Sequence, residues 1–196
     1  MAKIEQLEGE LIQFDSLSPS ERYRAMVESI VPRPIGWIST LSPEGVINLA
    51  PFSYFSGVGS RPPLVMVSIG RRKKGVDEPK DTYRNLLETG KGAISIPTLS
   101  QWREVDKTGA VLPSSEGEPE KFGIEMIRLH PDYPPIVKGV HRAFLVSLYG
   151  TFDREELATI PFFLKIDHFY TTGKEFQPLA RLGSGYGGVS PILEEE

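Results

Sequence analysis

Two stretches, Arg33-Pro34-Ile35-Gly36-Trp37-Ile38-Ser39-Thr40 and Asn48-Leu49-Ala50-Pro51-Phe52-Ser53, place hydroxyls, an amide and apolar residues within one hairpin's length of each other. Ser39, Thr40, Asn48 and Ser53 offer donors and acceptors at its polar ends. Pro51 has no backbone N–H and bends the chain, leaving neighbouring backbone groups free for a ligand. Flat apolar walls with hydrogen bonds along one edge are what a flavin ring needs. The plainer reading is a hairpin with a polar end, because small polar residues are common at turns.

Lys80-Asp81-Thr82-Tyr83-Arg84-Asn85 is a second such stretch. A helix start there would offer free N–H groups and the positive end of a dipole, which suits a phosphate. Lys80 adds charge, and Thr82 and Asn85 add donors. The alternative is an ordinary surface helix with Asp81 as its N-cap. The upstream run Arg71-Arg72-Lys73-Lys74 could attract a phosphate or a dinucleotide, but reads first as a solvated loop. Near the end, Pro178-Leu179-Ala180-Arg181-Leu182-Gly183 up to Tyr186 sets arginine and tyrosine among glycines. That segment could close over a ligand or form a flexible terminus.

Composition removes several chemistries. Cysteine is absent, and with it disulfides, thiol catalysis and thiolate metal sites. The three histidines, His130, His141 and His168, are too far apart for a short His-x-x-x-His metal pair, so no metal is expected. A net charge of −4 argues against nucleic acid as the main partner. No apolar run is long enough for a membrane span, and Met1-Ala2-Lys3-Ile4-Glu5-Gln6 lacks an apolar signal core. A cytoplasmic location is expected.

These stretches need elements to hold them. Nineteen glycines and 17 prolines indicate many turns, as in a β-rich fold. Residues 1–17 read as an arm or edge segment. Ser18-Pro19-Ser20-Glu21 opens a helix, with Ser18 as N-cap, proline in the first turn and Glu21 closing a capping box. Tyr23, Met26, Val27 and Ile30 form its apolar stripe. Strands are expected at 35–40 and 46–53 around the turn Ser42-Pro43-Glu44-Gly45, then at 64–69 and 93–96. Others are expected at 124–129, 142–152 and 162–170. A helix is expected at 82–89, ended by Gly90, and a helical turn at 101–106. Residues 109–123 read as an exposed loop, and 177–196 as a tail. One domain over 1–196, mainly β, with peripheral helices around a closed or half-closed barrel, fits this order.

Arg33-Pro34-Ile35, Asn48-Leu49-Ala50-Pro51-Phe52-Ser53, Arg61-Pro62-Pro63 and Lys80-Asp81-Thr82 with Asn85 resemble, in order and spacing, the flavin reductase-like family. That family includes flavoredoxins and the reductase components of two-component monooxygenases. The similarity runs from about Tyr23 to Tyr186. It implies an FMN-binding split β-barrel of Greek-key type, a homodimer, and FMN held non-covalently near the dimer seam. By position, Ser39, Thr40, Asn48, Ala50, Phe52 and Ser53 would line the flavin, and Lys80, Asp81, Thr82 and Asn85 would shape its phosphate end. Trp37 is a candidate wall or a core tryptophan. His168 is a candidate for the nicotinamide or flavin side, against the plainer reading of a core or surface histidine. No general acid–base pair is evident, in keeping with hydride transfer positioned by the protein. The implied activity is reduction of FMN by NADH or NADPH, with electrons passed to a monooxygenase or other acceptor. The alternatives are an FMN electron carrier of flavoredoxin type, or a split-barrel protein for another ligand such as haem.

Overall fold

Apolar residues recur every second position in Val65-Met66-Val67-Ser68-Ile69 and again in Ile160-Pro161-Phe162-Phe163-Leu164, the spacing of strands with one buried face. The computed structural model describes residues 9–190. In chain order its strands are β1 (Arg33–Pro34), β2 (Gly36–Leu41), β3 (Ile47–Phe52), β4 (Phe55–Ser60), β5 (Pro63–Gly70) and β6 (Lys91–Ile96), followed by β7 (Met126–Ile127), β8 (Ile136–Val137), β9 (Arg142–Thr151), β10 (Thr159–Thr171), β11 (Leu179–Leu182) and β12 (Gly185–Gly188). Its helices are α1 (Pro19–Ser29), α2 (Asp81–Thr89), α3 (Trp102–Lys107) and α4 (Glu118–Phe122). Seven strands form one curled sheet in the order β3-β2-β6-β9-β10-β5-β4, a half-open split barrel. Every pairing in it is antiparallel.

Two apolar clusters lie on opposite faces of this sheet. Inside the curl, Ile38, Val67, Ile94, Phe162 and Leu164 are fully buried together with Leu86 of α2. On the other face, Trp37, Leu49 and Ala93 meet Val105 of α3, Ile136 and Val137 of β8, and Leu179 of β11. Strand β2 is therefore covered on both sides. That explains why Trp37 and Ile38, adjacent and on opposite faces, are both apolar and inaccessible.

Helix α1 begins with the expected capping box, Ser18 and Glu21 bonding reciprocally. The turn after β2 closes through the Gly45 N–H on the Ser42 carbonyl, with Gly45 at φ 88°. Several expectations need correction. The N-cap of α2 is Lys80, not Asp81, which is already helical. Residues 109–123 are not simply an exposed loop: they contain α4, with Gly117, Glu118 and Pro119 buried. The strand expected at 124–129 shrinks to β7, which pairs only with β8. Strand β4 was not expected, because Ser56-Gly57-Val58-Gly59-Ser60 has weak strand propensity and holds to β5 by its backbone at the sheet edge. The tail is no loose terminus up to residue 190. Strands β11 and β12 form a hairpin that pairs with β1. The first residues of the expected arm, 1–8, and the end of the expected tail, 191–196, lie outside the described residues.

Candidate functional site

A polar network joins the start of α2 to the sheet. The Asn48 amide donates to Thr82 Oγ1 at 2.8 Å and to Thr40 Oγ1 at 3.4 Å, and the Asn85 amide donates to Thr40 Oγ1 at 3.1 Å. All four residues are buried. Thr40 and Asn48 face each other across β2 and β3, so the hairpin register makes this meeting point. Thr40 and Asn85 thus lock α2 onto the sheet, while Asn48 and Thr82 reach a cleft beside it.

That cleft has a volume of about 270 Å³. One wall is β3, where Asn48, Ala50 and Phe52 alternate onto the inner face. A second is the first turn of α2, with Lys80, Asp81 and Thr82. The third is the segment running from Thr108 to Leu112, completed by Glu118. Six of the ten expected cofactor-binding residues therefore line one space. Two more, Thr40 and Asn85, stand directly behind it.

The start of α2 is chemically open. No side chain caps it, whereas α1 carries a full capping box. Lys80 lies along the cleft with its ammonium 5.9 Å from the centre of the Phe52 ring. Burial lowers its pKa from the usual lysine value. Thr82 Oγ1 accepts from Asn48, which leaves its hydroxyl proton to donate. These groups fit an anionic oxygen-rich group such as a phosphate.

Three charged residues of the cleft, Lys73, Lys74 and Glu118, lay outside the expected cofactor-binding set. Glu118 is 5% exposed, and its carboxylate accepts the Leu49 N–H at 2.7 Å. Strand β3 is a sheet edge, so this N–H would otherwise have no partner strand. By strand alternation Pro51 points the same way, and its missing N–H leaves no orphan there. Burial pushes the Glu118 carboxyl up to about 7; Asp81 adds to the rise, while the Leu49 N–H and Lys73 oppose it. Lys73 is buried too, 2.9 Å from Asp81 Oδ2, and Asp81 Oδ1 lies 3.0 Å from the Arg84 guanidinium. The charge run that reads as solvated thus contains one buried lysine. Only the acidic residues downstream, Glu78 and Asp81, hint at it in the sequence.

Other candidates lie elsewhere. Ser39 points to the opposite face from Thr40, and its hydroxyl donates to the Pro135 carbonyl. Trp37 is fully buried, its indole N–H bonded to Thr108 Oγ1 at 2.9 Å, so it is core and not a cleft wall. Ser53 sits beyond the cleft in a small space of about 60 Å³ with Ile35, Arg181 and Tyr186, sharing Pro51 and Phe52 with it. Arg33 is buried and occupied by the carbonyls of Val27, Ile30 and Gly183. His168 is exposed and stacks on His130, with ring centres 5.1 Å apart, against a separate pocket on β10. Among the described residues, no three or more His, Asp or Glu gather as a metal site. No described helix is long and apolar enough to cross a membrane.

Residues 27–190 match the Flavin reductase like domain, and the chain belongs to that family. It is similar to nitrilotriacetate monooxygenase component B from Bacillus cereus, at 26% identity and a TM-score of 0.87, over 97% of this chain and 100% of that one. Two others share the fold. One is 2-nitrobenzoate 2-nitroreductase NbaA of Pseudomonas fluorescens, at 22% identity and a TM-score of 0.82, over 95% of each chain. The other is a Shewanella frigidimarina protein described as a flavin reductase with a split barrel domain. It has 20% identity and a TM-score of 0.78, over 93% of this chain and 95% of that one. The resemblance carried by the spaced motifs is thus borne out, and the chain is a flavin oxidoreductase type of protein.

Proposed function

We propose that the chain binds FMN in the cleft between β3 and α2 and transfers a hydride to it from NADH or NADPH. Reduced flavin or its electrons then pass to a monooxygenase or another acceptor. The observation that carries this reading is one space joining an apolar and amide-bearing strand face to an uncapped helix start that carries the half-buried Lys80. Ala50 and Phe52 offer flat apolar contact for the ring system. The α2 amides, Lys80 and Thr82 offer donors for the phosphate. Asn48 is fixed by Thr82 and Thr40, so what it presents to the cleft is pre-oriented. FMN would supply the hydride-accepting chemistry, and the protein's part is placement and exclusion of water.

A homodimer belongs to this proposal. Helix α1 buries only Val27 and leaves Tyr23 and Met26 exposed, as is Ile30 just after it, and β4 is exposed from Ser56 to Ser60. Both surfaces could meet a second copy. A cytoplasmic setting also belongs to it, since the reductant pool is there.

The absorption spectrum of the purified protein, followed by FMN titration and anaerobic addition of each nicotinamide, tests the reading. Flavin bands and NAD(P)H oxidation on adding FMN are expected. Flavin binding without NAD(P)H oxidation would leave an electron carrier, and no flavin binding at all would refute the proposal.

A further inference from the structure

The segment from Thr108 to Glu118 forms the outer wall of the cleft, yet little backbone bonding holds it. Among the described residues, no backbone hydrogen bond ties 111–115 to another element; the Glu116 N–H bonds to the Pro113 carbonyl within the segment. Its ends are pinned by side chains, Thr108 to Trp37 and Glu118 to the Leu49 N–H. Its middle is held by Lys73. The ammonium donates to the Leu112 carbonyl at 2.8 Å and to Ser114 Oγ at 2.9 Å. It also pairs with Asp81 Oδ2 at 2.9 Å, and more loosely with Glu78 at 3.3 Å. The Lys73 side chain is only 6% exposed.

We propose that Lys73 is a positioning residue that clamps the 108–118 wall to the first turn of α2, closing the cleft before any ligand arrives. Its protons go to the Leu112 carbonyl, Ser114 Oγ and Glu78, and its charge lies against the Asp81 carboxylate, so one ammonium bridges the outer wall and the first turn of α2. Asp81, the first residue of α2, anchors the clamp, and Arg84 holds Asp81 from the other side. Lys80, at the start of α2, has no ion-pair partner among the described residues and is open to a ligand, as is Lys74 at the cleft's rim. The buried lysine and the open ones thus divide the work: Lys73 holds the wall, and Lys80 meets the ligand. The flavin measurements below rest on the FMN reading; the exchange measurement does not.

Lys73→Met keeps length and bulk while removing every donor. In ligand-free protein, hydrogen–deuterium exchange of amides 111–116 should quicken by about tenfold or more, with the β9 and β10 amides unchanged. FMN and riboflavin affinity should fall together, by about tenfold, because the lost wall touches both. Flavin still bound should become more accessible to iodide quenching, a change that general destabilisation would not produce. Ser114→Ala removes one of the two wall contacts and leaves Asp81 paired. It should show the same exchange change to a smaller degree, even if Lys73→Met folds poorly. Unchanged exchange in both variants would overturn the clamp. Loss of FMN binding with riboflavin binding intact would also overturn it, and would make Lys73 a direct phosphate ligand. If wild-type protein binds neither flavin but the exchange change is seen, the clamp stands and the FMN reading falls.

Discussion

At the scale of single residues, Lys80 and Glu118 share one cleft but respond differently to burial. Lys80→Ala removes a charge that has no ion-pair partner among the described residues and has the Phe52 ring, 5.9 Å away, as a neighbour. A charge-assisted hydrogen bond is worth about 1.5–3 kcal/mol, so FMN affinity should fall roughly tenfold or more. Riboflavin, which has no phosphate, should bind as before; fluorescence titration of both ligands checks this. Glu118 has a folded pKa of about 7 against an ordinary value of 4.5. Between those values the native state holds a proton that the unfolded state has released. Stability from this group therefore declines as pH rises from about 4.5 to about 7, by on the order of 3 kcal/mol. Glu118→Gln keeps an oxygen for the Leu49 N–H and removes the titration. Urea unfolding should show the variant gaining on the wild type across that window, with the gap constant above it. A gap independent of pH would mean that Glu118 is ionised throughout.

At the scale of elements, α4 meets the β3 edge through Gly117. A Cβ there would come within 2.4 Å of the Ile47 carbonyl oxygen. Gly117→Ala must push α4 and Glu118 away from the edge, a clash of the kind that costs about 1–3 kcal/mol. Thermal unfolding should fall by several degrees, and an unchanged midpoint would show that α4 is not held this tightly. Elements with strong local signals were legible in the sequence. Ser18-Pro19-Ser20-Glu21 marked α1, Gly90 ended α2, and the apolar alternation of 64–69 and 162–170 marked β5 and much of β10. The cleft was legible where identity and alternation coincide, at Asn48, Ala50 and Phe52, and at the helix start around Lys80. Which face Ser39 would take was not legible, because β2 is buried on both sides and its apolar run does not alternate. Lys73 and Glu118 were hidden for another reason. Each lies in a polar stretch, and only contacts between distant segments bury it.

At the scale of the whole molecule, the proposed dimer should show a light-scattering mass near twice the 21.8 kDa chain. A monomer that still binds FMN fully would exclude a cleft shared between copies. The barrel is also tied across nearly its whole length. Strand β11 pairs with β1, and the buried Arg33 donates to the Gly183 carbonyl at 2.9 Å, 150 residues away. Leu179 completes the cluster that also holds Ile35, Trp37 and Leu145. During synthesis the chain emerges from its N-terminus, so β1, β2 and most of the sheet are available long before their last partners. A nascent chain with residue 178 just released must carry an uncovered apolar face and a guanidinium short of an acceptor. For that interval, set by translation speed and not by any fold energy, the Ile35, Trp37 and Leu145 side of the sheet lacks the Leu179 that completes it, an apolar surface open to aggregation.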